Sequence, residues 1–251
     1  MKVYKTITAG RLRRSIVYTK PSRQEKQERG PRARISSQAQ EKLNLRRSTD
    51  KLEALIAANF DEGFWWVTLT YDDAHLPVDR DGARKLLKKY LRKLRAIWKR
   101  KGAVLKYVYC IQEIQEDGSL RLHHHLILGR SDQDDFDTIK SLWEYGSNLD
   151  IQWLHSNDDI TDKAIYMTHE PRDHGKPVKG EQTWTPSRGL NRPEEETMEV
   201  PDEVTLEAPV GAQIVERDAL RNEWGEYAFI KYWLPRTDSP GDRNFNTRGR
   251  Y

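Results

Sequence analysis

LKYVYCIQEIQEDGSLRLHHHLILG, from Leu105 to Gly129, sets two runs of aromatic, β-branched and aliphatic residues, Leu105–Ile114 and Leu120–Gly129, around Glu116-Asp117-Gly118-Ser119. Asp-Gly between such runs predicts a β-hairpin. Side chains alternate along a strand, so His123 and His125 share one face while His124 joins Leu122 and Leu126 on the other. Two imidazoles two positions apart on a strand make half of a metal site; the plainer reading is a packed pair without an ion. Glu113 lies across the hairpin, where a third ligand is needed. The loop decides what faces the pair. A three-residue loop centred on Gly118 sets Glu113 opposite His123, a two-residue Asp117-Gly118 loop sets Gln112 there, and a bulge exchanges the two. Two His and a carboxylate leave coordination positions open, which suits Mn²⁺ or Mg²⁺, although imidazoles equally accept Zn²⁺.

Outward from the hairpin, Phe64 to Tyr71 (FWWVTLTY) reads as a strand that stops at Asp72-Asp73. After Pro77, Leu86, Leu87, Tyr90, Leu91, Leu94, Ile97 and Trp98 recur at helical spacing against a Lys/Arg face, and the helix ends near Gly102. Phe136, Ile139, Leu142 and Trp143 predict a second helix; Leu149, Ile151 and Trp153 a strand; residues 158–169 a third helix. The order is β-α-β-β-α-β-α, and its first six elements are those of the split βαβ arrangement. The expected fold is therefore α+β: an antiparallel sheet with a ferredoxin- or RRM-like βαββαβ core and helices mainly on one face. Leu52, Leu55, Ile56 and Ala57 give a short helix before it, residues 171–203 read as loops, and 204–206, 213–215 and 227–233 as short strands. The expected division is a basic N-terminal arm with a short helix over 1–60, a catalytic domain over 61–195, and a C-terminal extension over 196–251.

Charge is distributed by region. Residues 1–60 hold 15 Lys/Arg and 5 Asp/Glu, and residues 61–110 hold 12 and 6, whereas 191–251 hold 8 and 13. A basic first half is the footprint of a polyanion binder, and Trp65, Trp66 and Trp184 offer rings for base stacking. Cys110 is the single cysteine, which excludes an internal disulfide and a multi-cysteine zinc site. No stretch reaches the roughly 18 apolar residues of a membrane span, and the N-terminus lacks the apolar region of a signal peptide. A cytoplasmic protein is expected. Without a Gly-x-x-x-x-Gly-Lys-Ser/Thr stretch no nucleotide cofactor is expected either, so unwinding falls to a partner.

On the third helix Ile160, Ala164 and Met167 form the core stripe, and Tyr166 lies roughly 100–120° from its centre, with Lys163 at i−3 and His169 at i+3. A tyrosine can act as a covalent nucleophile once a cation, metal or base activates it. Thr68-Leu69-Thr70-Tyr71, then His123-His124-His125, then a helix bearing Tyr166, resembles the three ordered motifs of the HUH endonucleases. The chain is most similar to the single-tyrosine rolling-circle replication initiators of phages, plasmids and integrative elements. The resemblance spans about residues 40–195, including Asn59-Phe60 and Ser187-Arg188-Gly189-Leu190 with Pro193. It implies His123, His125 and Glu113 as ligands of Mg²⁺ or Mn²⁺, and Tyr166 as the nucleophile that attacks single-stranded DNA at an origin hairpin, leaving a 5′-phosphotyrosyl link. Host helicase and polymerase are the implied partners. Members often carry Lys three or four residues after the tyrosine. Here that stretch reads Thr168-His169-Glu170, and Lys163 is the nearest substitute cation, with Arg121 and Arg188 as further candidates for DNA contact. A transposase or relaxase shares the same chemistry. The alternative of another class is a non-enzymatic single-stranded nucleic-acid-binding module on an RRM-like sheet.

Overall fold

The computed structural model describes residues 1–20, 38–114, 120–173, 182–222 and 225–236. The chain divides into two compact units, one built from residues 27–193 and the other from both chain ends, 1–26 and 194–251. In the first, the elements run α1 (Gln38–Phe60), β3 (Phe64–Leu69), α2 (Arg80–Arg100), β4 (Tyr107–Ile114), β5 (Leu120–Leu128), α3 (Asp135–Ser141), β6 (Leu149–Leu154), α4 (Asn157–Asp173) and β7 (Thr185–Pro186). The second holds β1 (Lys2–Ala9), β2 (Leu12–Thr19), β8 (Glu194–Val200), β9 (Gln213–Asn222) and β10 (Gly225–Trp233).

The strands of the first unit form one antiparallel sheet in the order β6-β3-β5-β4-β7. Alternation assigns its faces. Val67, Leu69, Tyr109, Ile111, Leu122, Leu126 and Leu128 pack with the apolar stripe of α2 (Leu87, Tyr90, Leu91, Leu94, Trp98) and with Ile139 and Trp143. Asp79 caps α2 by accepting from the Gly82 amide at 2.7 Å, and Lys99 and Arg100 in the last turn complement the helix dipole. The two largest buried polar rings of this core find acceptors, Trp98 donating to the Gly129 carbonyl at 3.1 Å and Tyr90 to that of Ile139 at 3.0 Å. The opposite face carries Trp66, Thr68, Cys110, Gln112, His123 and His125, and α4 lies on it, with α1 packed against α4 through buried Leu52, Ile56, Ile160 and Met167. Helices therefore cover both faces, where the sequence predicted them mainly on one. The reason is α4, which lies on the second face, while α1, 23 residues long where a short helix was expected, packs against α4.

The chain passes close to itself at Gly146, where an added Cβ would sit 2.4 Å from the Thr70 carbonyl oxygen and 3.0 Å from the Tyr71 Cα. The Thr70 carbonyl already accepts from the Trp143 indole at 2.7 Å. Gly146→Ala is thus expected to lower stability by roughly 1–3 kcal/mol through forced backbone movement. Thermal denaturation against the wild-type chain checks this; equal melting of variant and wild type would refute a rigid contact.

In the second unit all strands are antiparallel in the order β8-β1-β2-β10-β9. This corrects the expected 1–60 arm: residues 2–19 are a hairpin that turns at Gly10, whose φ of 55° suits glycine. Residues 21–37 of that arm lie outside the described residues. It also corrects the expected loops over 171–203, since Glu194–Val200 is a strand that pairs with β1. Glu194-Glu195-Glu196-Thr197-Met198-Glu199-Val200 is exposed along nearly its whole length, so it shows no alternation to read. Its acids meet bases instead, Glu195 with Lys5 at 2.6 Å and Glu199 with Lys20. Part of the basic charge of the first residues is thereby matched inside this unit. Residues 204–206 are not a strand, whereas β9 and β10 extend the two predicted further on. Among the described residues no helix is long and apolar enough to cross a membrane.

Candidate active site

Strand alternation puts His123 and His125 on the α4 side of β5, each 5% exposed, and their rings meet edge-on with centroids 4.9 Å apart. Cross-strand partners share a face, so Thr68 and Cys110 flank His125 and Gln112 faces His123. From α4, the Tyr166 hydroxyl reaches to 3.2 Å of His125 Nε2, while Thr68 Oγ1 lies 3.0 Å from His125 Nδ1. The His125 ring stacks on Trp66 at 5.0 Å and 11°, and Tyr166 meets the same indole edge-on at 5.8 Å. Lys163, one turn before Tyr166, holds its ammonium 4.5 Å from the centre of the Trp66 ring. Four elements thus converge on one imidazole.

Burial keeps these histidines neutral. It lowers the pKa of His123, against a smaller opposing effect of the Arg121 carbonyl. His125 is held well below the usual range by burial first, then by His123, Lys163 and His124. A carbonyl only accepts, so His123 donates its Nδ1–H to Arg121 O at 2.9 Å and leaves its Nε2 lone pair available. With Nδ1–H of His125 on Thr68, its Nε2 accepts from Tyr166. His124, on the other face, is driven down to about 3 by full burial, with His123 and Arg80 adding to it. It takes the Tyr71 hydroxyl on Nε2 at 2.5 Å, and its Nδ1 has no hydrogen-bond partner among the described residues. That ring is a structural element of the α2 core.

The third position differs from the first expectation. The β4–β5 register pairs Gln112, not Glu113, with His123, and it shifts only beyond that pair, where β5 carries one residue more than β4 before Ile114 meets Leu120. Glu113 is displaced outward, its carboxylate 46% exposed and 3.0 Å from Arg80. Among the described residues no three His, Cys, Asp or Glu side chains are grouped to hold a metal ion. Gln112 is 2% exposed, and neither its Oε1 nor its Nε2 has a hydrogen-bond partner among the described residues. Leaving such a group unpaired costs roughly 1–3 kcal/mol. Two imidazole Nε2 atoms and an amide oxygen would make a neutral donor set that suits Mn²⁺ or Zn²⁺ better than Mg²⁺, with the His125 Nε2 exchanging the Tyr166 hydroxyl for the ion.

Of the proposed DNA contacts, Lys163 is at the site. Arg121 is engaged with the Tyr71 carbonyl at 2.6 Å and with Asp73 at 2.8 Å. Arg188 is exposed beyond β7, on the far side of β4 from β5. Trp66 is 3% exposed, which makes it the platform for His125 and not a surface for bases. Trp65 faces the other way, against Phe136 and Trp153, and Trp184 donates to Ser48 at 3.3 Å. The Ser187–Leu190 stretch is a fastening: Ser187 exchanges hydrogen bonds with Tyr107, and Asn191 with Asn59. The Glu170 side chain lies outside the described residues. Thr68, Trp66 and Gln112 acquire their places from register, a signal present in the alternation of β3 and β4 but dependent on a pairing the sequence does not fix.

Residues 64–170 match the model of a replication-associated protein family, that of ORF2. The match begins with β3 and ends within α4, so it takes in Trp66, Thr68, Gln112, His123, His125, Lys163 and Tyr166. It supports a replication-associated protein, and with it association with DNA. No curated protein and no solved structure matches the chain.

Proposed function

We propose that this chain is an HUH-type DNA nicking and rejoining enzyme that initiates rolling-circle replication. The observation that carries the reading is the Tyr166 hydroxyl 3.2 Å from Nε2 of a buried, neutral His125, inside the segment that matches a replication-associated family. The element order β3-α2-β4-β5-α3-β6 with strand order β6-β3-β5-β4 supports a ferredoxin-like core of the HUH kind. His123, His125 and Gln112 are the residues that would hold a divalent ion, which when bound supplies charge to polarise a phosphate oxygen.

The rest belongs to the chain. α4 presents Tyr166 at the edge of the donor set, its ring fixed against Trp66 and His125. Lys163 adds positive charge on the same helix face, where a phosphate must come to meet the hydroxyl. The Tyr166 oxygen bonds to phosphorus as the bond from phosphorus to the 3′ oxygen breaks, and the phenolic proton ends on that 3′ oxygen. One phosphodiester replaces another, so the reverse step needs no nucleotide. The free 3′-hydroxyl is a primer for a polymerase. A binding module on an open RRM-like sheet is disfavoured, because α4 occupies the histidine face.

The test is incubation of the full chain with labelled single-stranded hairpins of its own replicon, with Mn²⁺ or with EDTA, read on a denaturing gel and by mass spectrometry. A Mn²⁺-dependent adduct on Tyr166 is expected. Tight binding without nick or adduct under any divalent ion would return the histidines to a structural role.

A further inference from the structure

The solvent face of α2 carries charge that the nicking site does not use. Lys85, Lys88, Lys89, Arg92, Lys99 and Arg100 are exposed, and none has an ion-pair partner among the described residues. At about 100° per residue these six fall in one stripe about 120° wide and about 22 Å long. Ala96 lies in its midst, and the helix has no carboxylate after Asp81. The other cations of α2 are engaged: Arg84 with Asp81, Lys93 with Glu144 at 2.5 Å, and Arg95 with the Tyr107 hydroxyl at 3.3 Å. Like charges at i,i+3 and i,i+4 destabilise a helix, and a face made only for water mixes its signs. This stripe instead places Lys85, Lys88, Lys89 and Arg92 at those spacings, and its one helix carboxylate, Asp81 at i−4 from Lys85, is paired with Arg84.

We propose that the stripe is a docking surface for duplex DNA, gripped by its phosphates. Charge complementarity indicates a polyanion. The absence of rings indicates a duplex: single strands are held by aromatic stacking as well as charge, and the aromatics of α2, Tyr90 and Trp98, are buried on its opposite side. A straight row of mostly lysine point charges suits the phosphates of a stiff rod and carries no base readout. α2 and α4 cover opposite faces of the sheet, so a duplex on α2 leaves the Tyr166 face to a single strand. Holding flanking duplex raises the local concentration of the strand to be cut.

The inference stands apart from the nicking chemistry, since its readout is binding. The full chain with Lys88→Gln, Lys89→Gln, Arg92→Gln and Lys99→Gln together would be titrated against a labelled blunt duplex of arbitrary sequence, about two helical turns long, between about 50 and 200 mM salt. The slope of log K against log salt is expected to shrink by about 3 to 4, as four contacts at about 0.9 each require. Affinity for the duplex should fall at least about tenfold, while affinity for an oligo-dT strand changes less than about twofold. The melting temperature should not fall, because like-charge repulsion is relieved. An unchanged duplex affinity and slope overturn the proposal, and so does an equal loss on duplex and single strand.

Discussion

Tyr166→Phe is expected to lower DNA cleavage and the covalent adduct by at least about 10³-fold while leaving affinity for the origin hairpin within about twofold. The substitution removes one oxygen and retains the ring that packs at 4.9 Å on His125 and 5.8 Å on Trp66. Its cost to folding is that of one partly buried hydrogen bond, about 1 kcal/mol, so loss of activity cannot be assigned to loss of the site. The separation of effects follows from position. The hydroxyl is at the histidine pair, whereas the exposed cations available to the DNA backbone lie elsewhere. Gel assays of cleavage and anisotropy of binding on the same protein preparation check both halves. Cleavage persisting in the Phe variant would sink the tyrosine mechanism; binding and cleavage falling together would mark Tyr166 as a packing residue.

What was legible in the residues follows from how local each signal is. The antiparallel neighbours β4 and β5, the α2 stripe and the α4 stripe follow from patterns local in the chain, although the Asp117-Gly118 turn itself lies outside the described residues, and the strands and helices from Phe64 to Asp173 appear in the predicted order. The shared face of His123 and His125 is the same kind of signal, since parity along one strand fixes it. Register is not local. Gln112 rather than Glu113 faces His123 because of the register in which β4 and β5 pair, and a one-residue slip exchanges a carboxylate for an amide. The second unit was the least legible part. Lys2–Ala9 and Leu12–Thr19 flank Gly10-Arg11 as a hairpin should, yet their lysines and arginines read as part of a basic arm. Glu194–Val200 has no apolar face, and its pairing with β1 nearly two hundred residues away depends on charges that no window of one strand contains.

The same register yields the sharpest test of the donor set. Added Mn²⁺ is expected to raise the melting temperature of the wild-type chain, since an ion at about 100 times its dissociation constant stabilises by about 2.7 kcal/mol, or roughly 5–10 °C for a domain of this size. Gln112→Leu should abolish that shift and cleavage with it, yet should not lower the metal-free melting temperature. It replaces a buried amide, whose two polar atoms have no hydrogen-bond partner among the described residues, by an apolar side chain of similar volume. A residue that merely packs would show the opposite pattern, with the shift intact. Glu113→Gln removes only the half-exposed pair with Arg80, worth at most about 1 kcal/mol, and should leave the Mn²⁺ shift unaltered. Gln112→Glu, which supplies a charged oxygen at the same place, should strengthen the shift and extend it toward Mg²⁺. If Glu113→Gln removes the shift while Gln112→Leu retains it, the third donor is Glu113 after all, and the β4 register on DNA differs from that of the free chain.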